Sequence, residues 1–111
     1  MADAITIKQH DLYPPLQFTL SDANGPVDLS TAESITLLMK SGGTVVDGTC
    51  TADADQVTNK GVATYTWVSG DTDTAGTYDV EFEVAWPDGI ETFPNTGYLS
   101  IVIEPDLGPV A

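Results

Sequence analysis

The sequence predicts an all-β protein, an immunoglobulin-like antiparallel β-sandwich of about seven or eight strands. Apolar residues alternate with polar ones in short runs, and clusters of Gly, Pro, Asn and Asp separate these runs every ten or so residues. Helical periodicity is almost absent, so the one helical turn that we expect lies near Ser30–Ser34, where Ser30 and Glu33 have capping-box spacing. With 111 residues, the chain has room for one domain at 1–104 and a Pro-rich tail at 105–111.

The expected strands are the alternating runs, taken in chain order. They lie at 5–7, 16–20, 35–39, 63–67, 78–86, 90–93 and 99–103. The run at 78–86 is the most regular: Tyr78, Phe82 and Trp86 share one parity, which we expect to face the core, and acidic residues occupy the other. Pro87-Asp88-Gly89 then predicts a hairpin turn into the next strand.

The segment before this strand, Asp71-Thr-Asp-Thr-Ala-Gly76, has two competing interpretations. It begins like an EF-hand calcium loop, but Ala75 stands at the fifth ligand position and Phe82 at the twelfth. Gly76-Thr-Tyr78 is also similar to the approach to strand F of immunoglobulin-like domains, in which the tyrosine hydroxyl bonds to upstream backbone. We predict the second arrangement, and a looser divalent-cation site among Asp53, Asp55, Asp71 and Asp73 is the alternative.

Charge is the most unusual feature of the composition. Seventeen Asp and Glu face three Lys and no Arg, which gives a formal net charge of -14. Phosphate backbones and anionic lipids repel such a chain, so we expect neither nucleic-acid nor membrane binding. The acidic face at Asp79, Glu81 and Glu83 is interpreted as a solvated surface, with a cationic partner as the alternative.

Residues suited to catalysis are few. The chain has one histidine, His10, and one cysteine, Cys50, and it lacks a phosphate-binding glycine loop and a nucleophile elbow. His10 is expected at an edge of the fold and Cys50 on a half-buried strand. We therefore predict a protein that is not an enzyme, with no cofactor and no metal. The first residues lack the features of a signal peptide, which indicates synthesis in the cytosol.

Four segments together resemble a bacteriophage module. They are LYPPLQFTLSDANGPVDLSTA from Leu12, SITLLMK from Ser34, GTYDVEFEV from Gly76 and FPNTGYLSI from Phe93. In this order they are similar to the N-terminal domain of phage baseplate upper proteins (BppU-like), over about Ile5 to Ile103. The resemblance implies a non-enzymatic structural component of a tailed-phage virion, assembled in the host cytoplasm and docked on the tail or baseplate.

The same resemblance implies that the partners are other virion proteins, with several copies of the chain in a symmetric assembly. Capsid decoration or a head fibre is one alternative, and a β-sandwich module that binds a host surface or saccharide is another. The candidate partner contacts are His10, Tyr13, Pro14, Pro15, Pro105, Leu107 and Pro109. Because two prolines stiffen the strand start at Tyr13-Pro-Pro-Leu16, this strip either adds to a neighbour's sheet edge or seals its own sheet.

Overall fold

The computed structural model describes residues 5–107, and this part of the chain is built from strands and turns, without a helix. The strands, numbered in chain order, are β1 (Ile5–Lys8), β2 (Leu16–Thr19), β3 (Ser21–Asp22), β4 (Gly25–Pro26), β5 (Ser34–Ser41), β6 (Thr44–Ala52), β7 (Val62–Tyr65), β8 (Gly76–Trp86), β9 (Gly89–Phe93) and β10 (Leu99–Glu104). Over the described residues, no helix is long and apolar enough to cross a membrane.

The main sheet folds over on itself. Its hydrogen-bonded order is β1-β10-β8-β5-β6-β7-β2, with β9 also pairing to β8. Strand β6 joins the two layers, because its first part pairs with β5 and its last two residues pair with β7. Phe18 of β2 stacks on Phe82 of β8 with ring centroids 3.9 Å apart, so the core lies between the layers. The predicted all-β, immunoglobulin-like sandwich is confirmed.

One pairing differs from an antiparallel sandwich. Strand β1 runs parallel to β10, with Ile5 opposite Ile101 and Lys8 opposite Glu104, while the other pairs are antiparallel. The first and last strands of the domain are therefore neighbours. Lys8 and Glu104 form an ion pair of 3.3 Å at the end of this ladder.

The inner face of β8 is mostly as predicted. Tyr78 and Phe82 are buried, and the acidic parity is exposed or half-buried. Trp86 is the exception, since it is only partly buried. It lies opposite Gly89 at the turn end of the β8–β9 hairpin, and its indole N–H donates to Glu91 Oε1 at 3.0 Å.

The turn before β8 is the predicted tyrosine corner. The Tyr78 hydroxyl donates to the backbone carbonyl of Thr74 at 2.6 Å. Gly76 has a φ of +156°, which carries the chain out of the turn into β8. Asp71 acts inside the turn, since its Oδ2 accepts bonds from the Tyr65 hydroxyl at 2.5 Å and from the Val68 N–H at 2.8 Å.

Strand β6 was absent from the alternating runs because Gly48 occupies one of its inward positions, between buried Val46 and Cys50. A Cβ atom built on Gly48 would stand 2.4 Å from the Tyr65 ring. The ring thus fills the space that an apolar side chain takes on other strands.

The predicted helical turn near Ser30–Ser34 is wrong. Asp28 Oδ1 accepts the Ser30 N–H at 2.9 Å, which makes a local turn. The Glu33 N–H donates to the Ala85 carbonyl at 2.7 Å, so the chain already runs beside β8 where a helix would need its first turn.

Candidate functional site

The two end strands of the folded sheet, β1 and β2, face each other across a groove of about 290 Å³. We call it the edge groove. Its lining residues come from β1, from the start of β2 and the two prolines before it, and from the segment after β7: Ile5, Thr6, Ile7, Pro14, Pro15, Leu16, Gln17 and Trp67. None of these side chains is charged. The groove is a neutral, largely apolar strip on a molecule with a formal net charge of -14.

On the β1 side, the backbone of Thr6 points toward the edge groove. The Gln9 N–H donates to the Glu104 carbonyl at 2.7 Å, which continues the ladder to β10. Successive residues of a strand direct their backbone groups to opposite sides, so Ile5 and Ile7 face β10 as Gln9 does. The N–H and C=O of Thr6 therefore face away from β10, on the side of the groove.

On the β2 side, Gln17 has the corresponding position. The Leu20 N–H donates to the Gly61 carbonyl at 2.8 Å, and Phe18 is two residues away in the same ladder to β7. Gln17 lies at the intervening parity, so its backbone groups face away from β7. Within the described strands, β1 has β10 as its single sheet neighbour and β2 has β7. Each side of the groove is thus an unpaired strand edge.

The apolar floor of the groove is held by Trp67, which is 4% exposed although it follows the end of β7. Its ring meets that of Tyr65 edge to face, with centroids 5.4 Å apart and planes at 89°. Burial, followed by the hydrogen bond to Asp71, raises the pKa of Tyr65. The hydroxyl therefore remains a proton donor, and the bond to Asp71 fixes the ring on which Trp67 packs.

A smaller cavity of about 50 Å³ adjoins the edge groove, with which it shares Ile5 and Leu16. Its other lining residues are Phe18, Val80, Phe82, Leu99, Ser100 and Ile101. It reaches the stacked Phe18–Phe82 pair, so the groove lies next to a cavity that is lined by the core of the sandwich.

The predicted contacts Tyr13, Pro14 and Pro15 lie together at the entrance to β2. Both prolines line the edge groove, and the Tyr13–Pro14 peptide bond is cis. Tyr13 is 81% exposed. Because β2 has an unpaired edge, the prolines border this edge and do not close it.

His10 and the tail are joined to each other. His10 has a φ of +71°, and its N–H donates to the Thr72 carbonyl at 3.1 Å. Its Nδ1 lies 3.0 Å from Asp106 Oδ2, and its Nε2 lies 3.9 Å from Asp73 Oδ1. The hydrogen bond with Asp106 raises the pKa of His10, with smaller contributions from the charges of Asp106, Asp73 and Asp11.

The remaining predicted contacts belong to the tail. Pro105 and Leu107 are exposed, while Asp106 between them bonds back to His10. Pro109 lies outside the described residues. The first part of the tail is thus attached to its own domain, beside the start of the segment that leads from β1 to β2.

The four aspartates of the alternative cation site do not form one cluster of possible metal ligands. Three of them accept hydrogen bonds in turns or from a tyrosine. Asp53 Oδ1 accepts the Asp55 N–H at 2.8 Å, Asp55 Oδ1 accepts the Thr58 N–H at 3.1 Å, and Asp71 holds Tyr65. Between residues 5 and 107, no three His, Cys, Asp or Glu residues converge in a way that could hold a metal ion. Cys50 is buried, which raises the pKa of its thiol to about 12.

A second, larger groove of about 530 Å³ crosses the outer face of β5 and β8. Lys40, Asp79, Glu81 and the exposed Tyr98 are among its lining residues. Its strands β5 and β8 are paired on both sides, so it presents side chains and no free backbone edge. We therefore take the edge groove as the candidate site.

No protein-family model and no curated protein matches the chain. Among solved structures, the chain is similar to CopC from Methylosinus trichosporium OB3b, with a TM-score of 0.55 and 16% sequence identity. The match covers 98% of this chain and 91% of that one. At this identity the likeness shows the β-sandwich fold alone.

The predicted role as a structural component of a phage particle is contradicted by this comparison. The solved structure that the chain resembles is that of CopC, and no comparison returned a virion protein. The same finding contradicts both the tail or baseplate role and the capsid-decoration or head-fibre role, while the host-surface or saccharide-binding module stays an untested prediction. The four segments that resemble baseplate upper proteins are also ordinary strand and turn sequences, which any sandwich of this kind needs.

Proposed function

We propose that this chain is a non-catalytic binding module that holds an extended segment of a partner protein in the edge groove. The observation that carries the proposal is the pair of unpaired strand edges, at Thr6 and Gln17, on the two sides of one neutral groove. An inserted strand would receive backbone hydrogen bonds from both sides while its alternate side chains meet the apolar floor.

The chemistry of the groove favours a peptide over a small polar ligand. Small-molecule sites combine an apolar pocket with a few convergent polar side chains. Here Thr6 and Gln17 are the polar residues among the lining, and both side chains are exposed. The polar groups that face the groove are those of the backbone, and an extended chain is complementary to them along its whole length.

The proposal that the module is not an enzyme rests on its reactive side chains. The sole histidine of the sequence is bonded to Asp106 at the surface. The sole cysteine is buried with a raised pKa, which keeps it a thiol. Neither residue lines the edge groove.

A copper site is not part of the proposal. His10 is near Asp106 and Asp73, but these are one imidazole and two carboxylates at 3.0 Å and 3.9 Å. Copper sites in proteins are usually built on imidazole and sulfur ligands. The one cysteine is buried on β6, away from this position.

The test is a selection of random nine-residue peptides, displayed by mRNA display, on the immobilised protein. Selected peptides are then measured against Ile5→Lys, which places a charged side chain at the groove, and against Val45→Lys, which makes the same charge change on the outer face. Both positions are exposed, at 41% and 59%, so both variants keep the fold. We expect Ile5→Lys to weaken binding at least tenfold and Val45→Lys to leave it within threefold. Equal binding by the two variants, or a selection without binders, contradicts the proposal.

A further inference from the structure

We infer, on the basis of the proposed function, that the segment held in the edge groove carries one small aliphatic side chain as its anchor, with lysine or arginine on the opposite parity. The anchor enters the cavity beside Ile5 and Leu16. The basic residues point to solvent, where the acidic surface of the domain attracts them. Three features of the structure carry this inference: the volume of the cavity, its lining, and the distribution of charge.

The volume limits the size of the anchor. The cavity measures about 50 Å³. A water molecule needs on the order of 10–15 Å³ of such space, and a cavity of roughly 150 Å³ holds benzene. A volume between these limits suits the few carbon atoms of an Ala or Val side chain and is too small for an aromatic ring.

The lining limits the chemistry of the anchor. Seven of the eight residues around the cavity are apolar, and Ser100 is the one polar member. The stacked rings of Phe18 and Phe82 form part of this wall. A charged or amide side chain would lose its hydration there without a hydrogen-bonding partner of matching chemistry, which is unfavourable. An aliphatic group gains from the same environment.

The charge distribution determines which side chains are preferred on the opposite parity of the bound segment. In the bound segment, the residues before and after the anchor direct their side chains away from the groove, because the side chains of a strand alternate. The edge groove has no charged lining residue of its own, so these side chains interact with the field of the whole domain. That domain has a formal net charge of -14, and the nearby Lys8 is already paired with Glu104. Basic side chains are therefore attracted and acidic ones repelled.

The net charge also excludes a second copy of this chain as the preferred occupant. Two copies, each with a formal net charge of -14, repel each other, and an edge-to-edge pair of β1 or β2 strands would bring these charges together. Native sandwiches use such repulsion to prevent their open edges from pairing with one another. A partner of opposite charge overcomes this protection.

The test uses a capped nine-residue peptide, Thr-Lys-Thr-Lys-Val-Lys-Thr-Lys-Thr, with valine on one parity and lysine on the other. Three control peptides replace the valine by phenylalanine, the valine by aspartate, or all four lysines by glutamate. Binding to the whole chain is followed from its amide NMR signals at 5–7 and 16–18 as a function of peptide concentration. We expect the valine peptide to shift these signals, each control to bind at least tenfold more weakly, and added salt to weaken binding.

The outcomes separate this inference from the proposed function. Equal or tighter binding of the phenylalanine or glutamate peptide at the same signals overturns the inference and leaves the groove as a peptide site. Selected library peptides that bind at these signals with neither a small aliphatic anchor nor basic residues also overturn the inference and leave the groove as a peptide site. Shifts at 5–7 and 16–18 that grow with protein concentration in the absence of peptide identify a second copy as the occupant and also overturn it. If neither these peptides nor the selected ones move those signals, the proposed function fails.

Discussion

The buried amide of Gln56 holds together the loop between β6 and β7. Its Oε1 accepts the N–H groups of Leu29 at 3.0 Å and Gly61 at 2.9 Å. Its Nε2 donates to the carbonyls of Asp53 at 2.8 Å and Val62 at 3.2 Å. All four bonds use backbone groups. The Val62 carbonyl also accepts the Asp53 N–H at 2.9 Å, so the groups that depend on the Gln56 side chain are the N–H groups of Leu29 and Gly61 and the carbonyl of Asp53.

We predict that Gln56→Leu lowers the free energy of unfolding by about 2–4 kcal/mol, because it leaves backbone donors and acceptors without partners in a buried place. Gln17→Leu is the matched control: the same change at an exposed side chain shifts stability by less than about 0.5 kcal/mol. Urea denaturation measures both variants. Equal stabilities for the two would show that the Gln56 bonds are replaced by water.

His10 is the second residue with a testable environment. Its hydrogen bond to Asp106 raises its pKa above the ordinary value of 6.5. A raised folded-state pKa means that the attraction stabilises the fold fully below pH 6.5, and the contribution disappears as the pH rises through the folded-state value. The attachment of Asp106 to the domain is therefore stronger when His10 is protonated than when it is neutral.

The sequence contains a single histidine, so its NMR titration is unambiguous. We expect an apparent pKa above 6.5 that falls in Asp106→Asn by more than it falls in Asp11→Asn, because the hydrogen bond is the largest cause and the Asp11 charge the smallest. A titration at the ordinary value in the native protein, or equal effects of the two substitutions, would contradict the assigned contact.

At the scale of elements, the close approach of β6 to Tyr65 links the two layers of the sandwich. Gly48 leaves room for the Tyr65 ring, and the ring in turn supports Trp67 under the edge groove. The Tyr65 hydroxyl donates a hydrogen bond to Asp71, in the corner before β8. One glycine on β6 thus determines where the floor of the groove lies.

We predict that Gly48→Ala destabilises the protein by about 1–3 kcal/mol, since the added Cβ must displace a packed ring. Gly43→Ala is the matched control, because a Cβ there has no neighbour within 4 Å. Thermal unfolding measures the difference, which we expect to be several degrees in melting temperature. The tryptophan fluorescence of Gly48→Ala should also change, as Trp67 loses its support, and an unchanged melting temperature would contradict the packing described.

Elements with large apolar residues on one parity were predictable from the sequence, since burial of Tyr78 and Phe82 leaves one register for β8. The corner at Tyr78 was predictable for a local reason: its bond to Thr74 spans four residues. Strand β6 is not predictable from its alternation, because Gly48 interrupts it. Trp86 was placed too deep, since its position at the end of a hairpin depends on what covers that end.

At the scale of the molecule, the edge groove exists because of strand order. Pro14 and Pro15 could be selected from the sequence as a stiff, apolar strip. Thr6, Gln17 and Trp67 could not, because they have no local signal. They meet only because β1 pairs with β10 at one end of the folded sheet while β2 pairs with β7 at the other. The predicted phage role is wrong for a related reason: it depends on turns and strands that many sandwiches share.

The net charge also acts at this scale. Its field surrounds an edge groove whose own lining is uncharged. The groove therefore selects peptide segments by shape, and the charge of the whole molecule selects them by their charge. The charge therefore prevents the two unpaired edges from pairing with the edges of a second copy of the chain. A basic strand can still pair with them.

Hydrogen exchange at two amides tests strand addition most directly. The N–H groups of Thr6 and Gln17 face the edge groove, while those of Ile7 and Phe18 point into existing ladders. With a selected peptide bound, we predict that exchange slows at least tenfold at Thr6, at Gln17 or at both, while the outer-face residue Val45 is unaffected. Unchanged exchange at both Thr6 and Gln17 under saturating peptide would contradict the proposed strand addition, because no strand would then have been added at either edge.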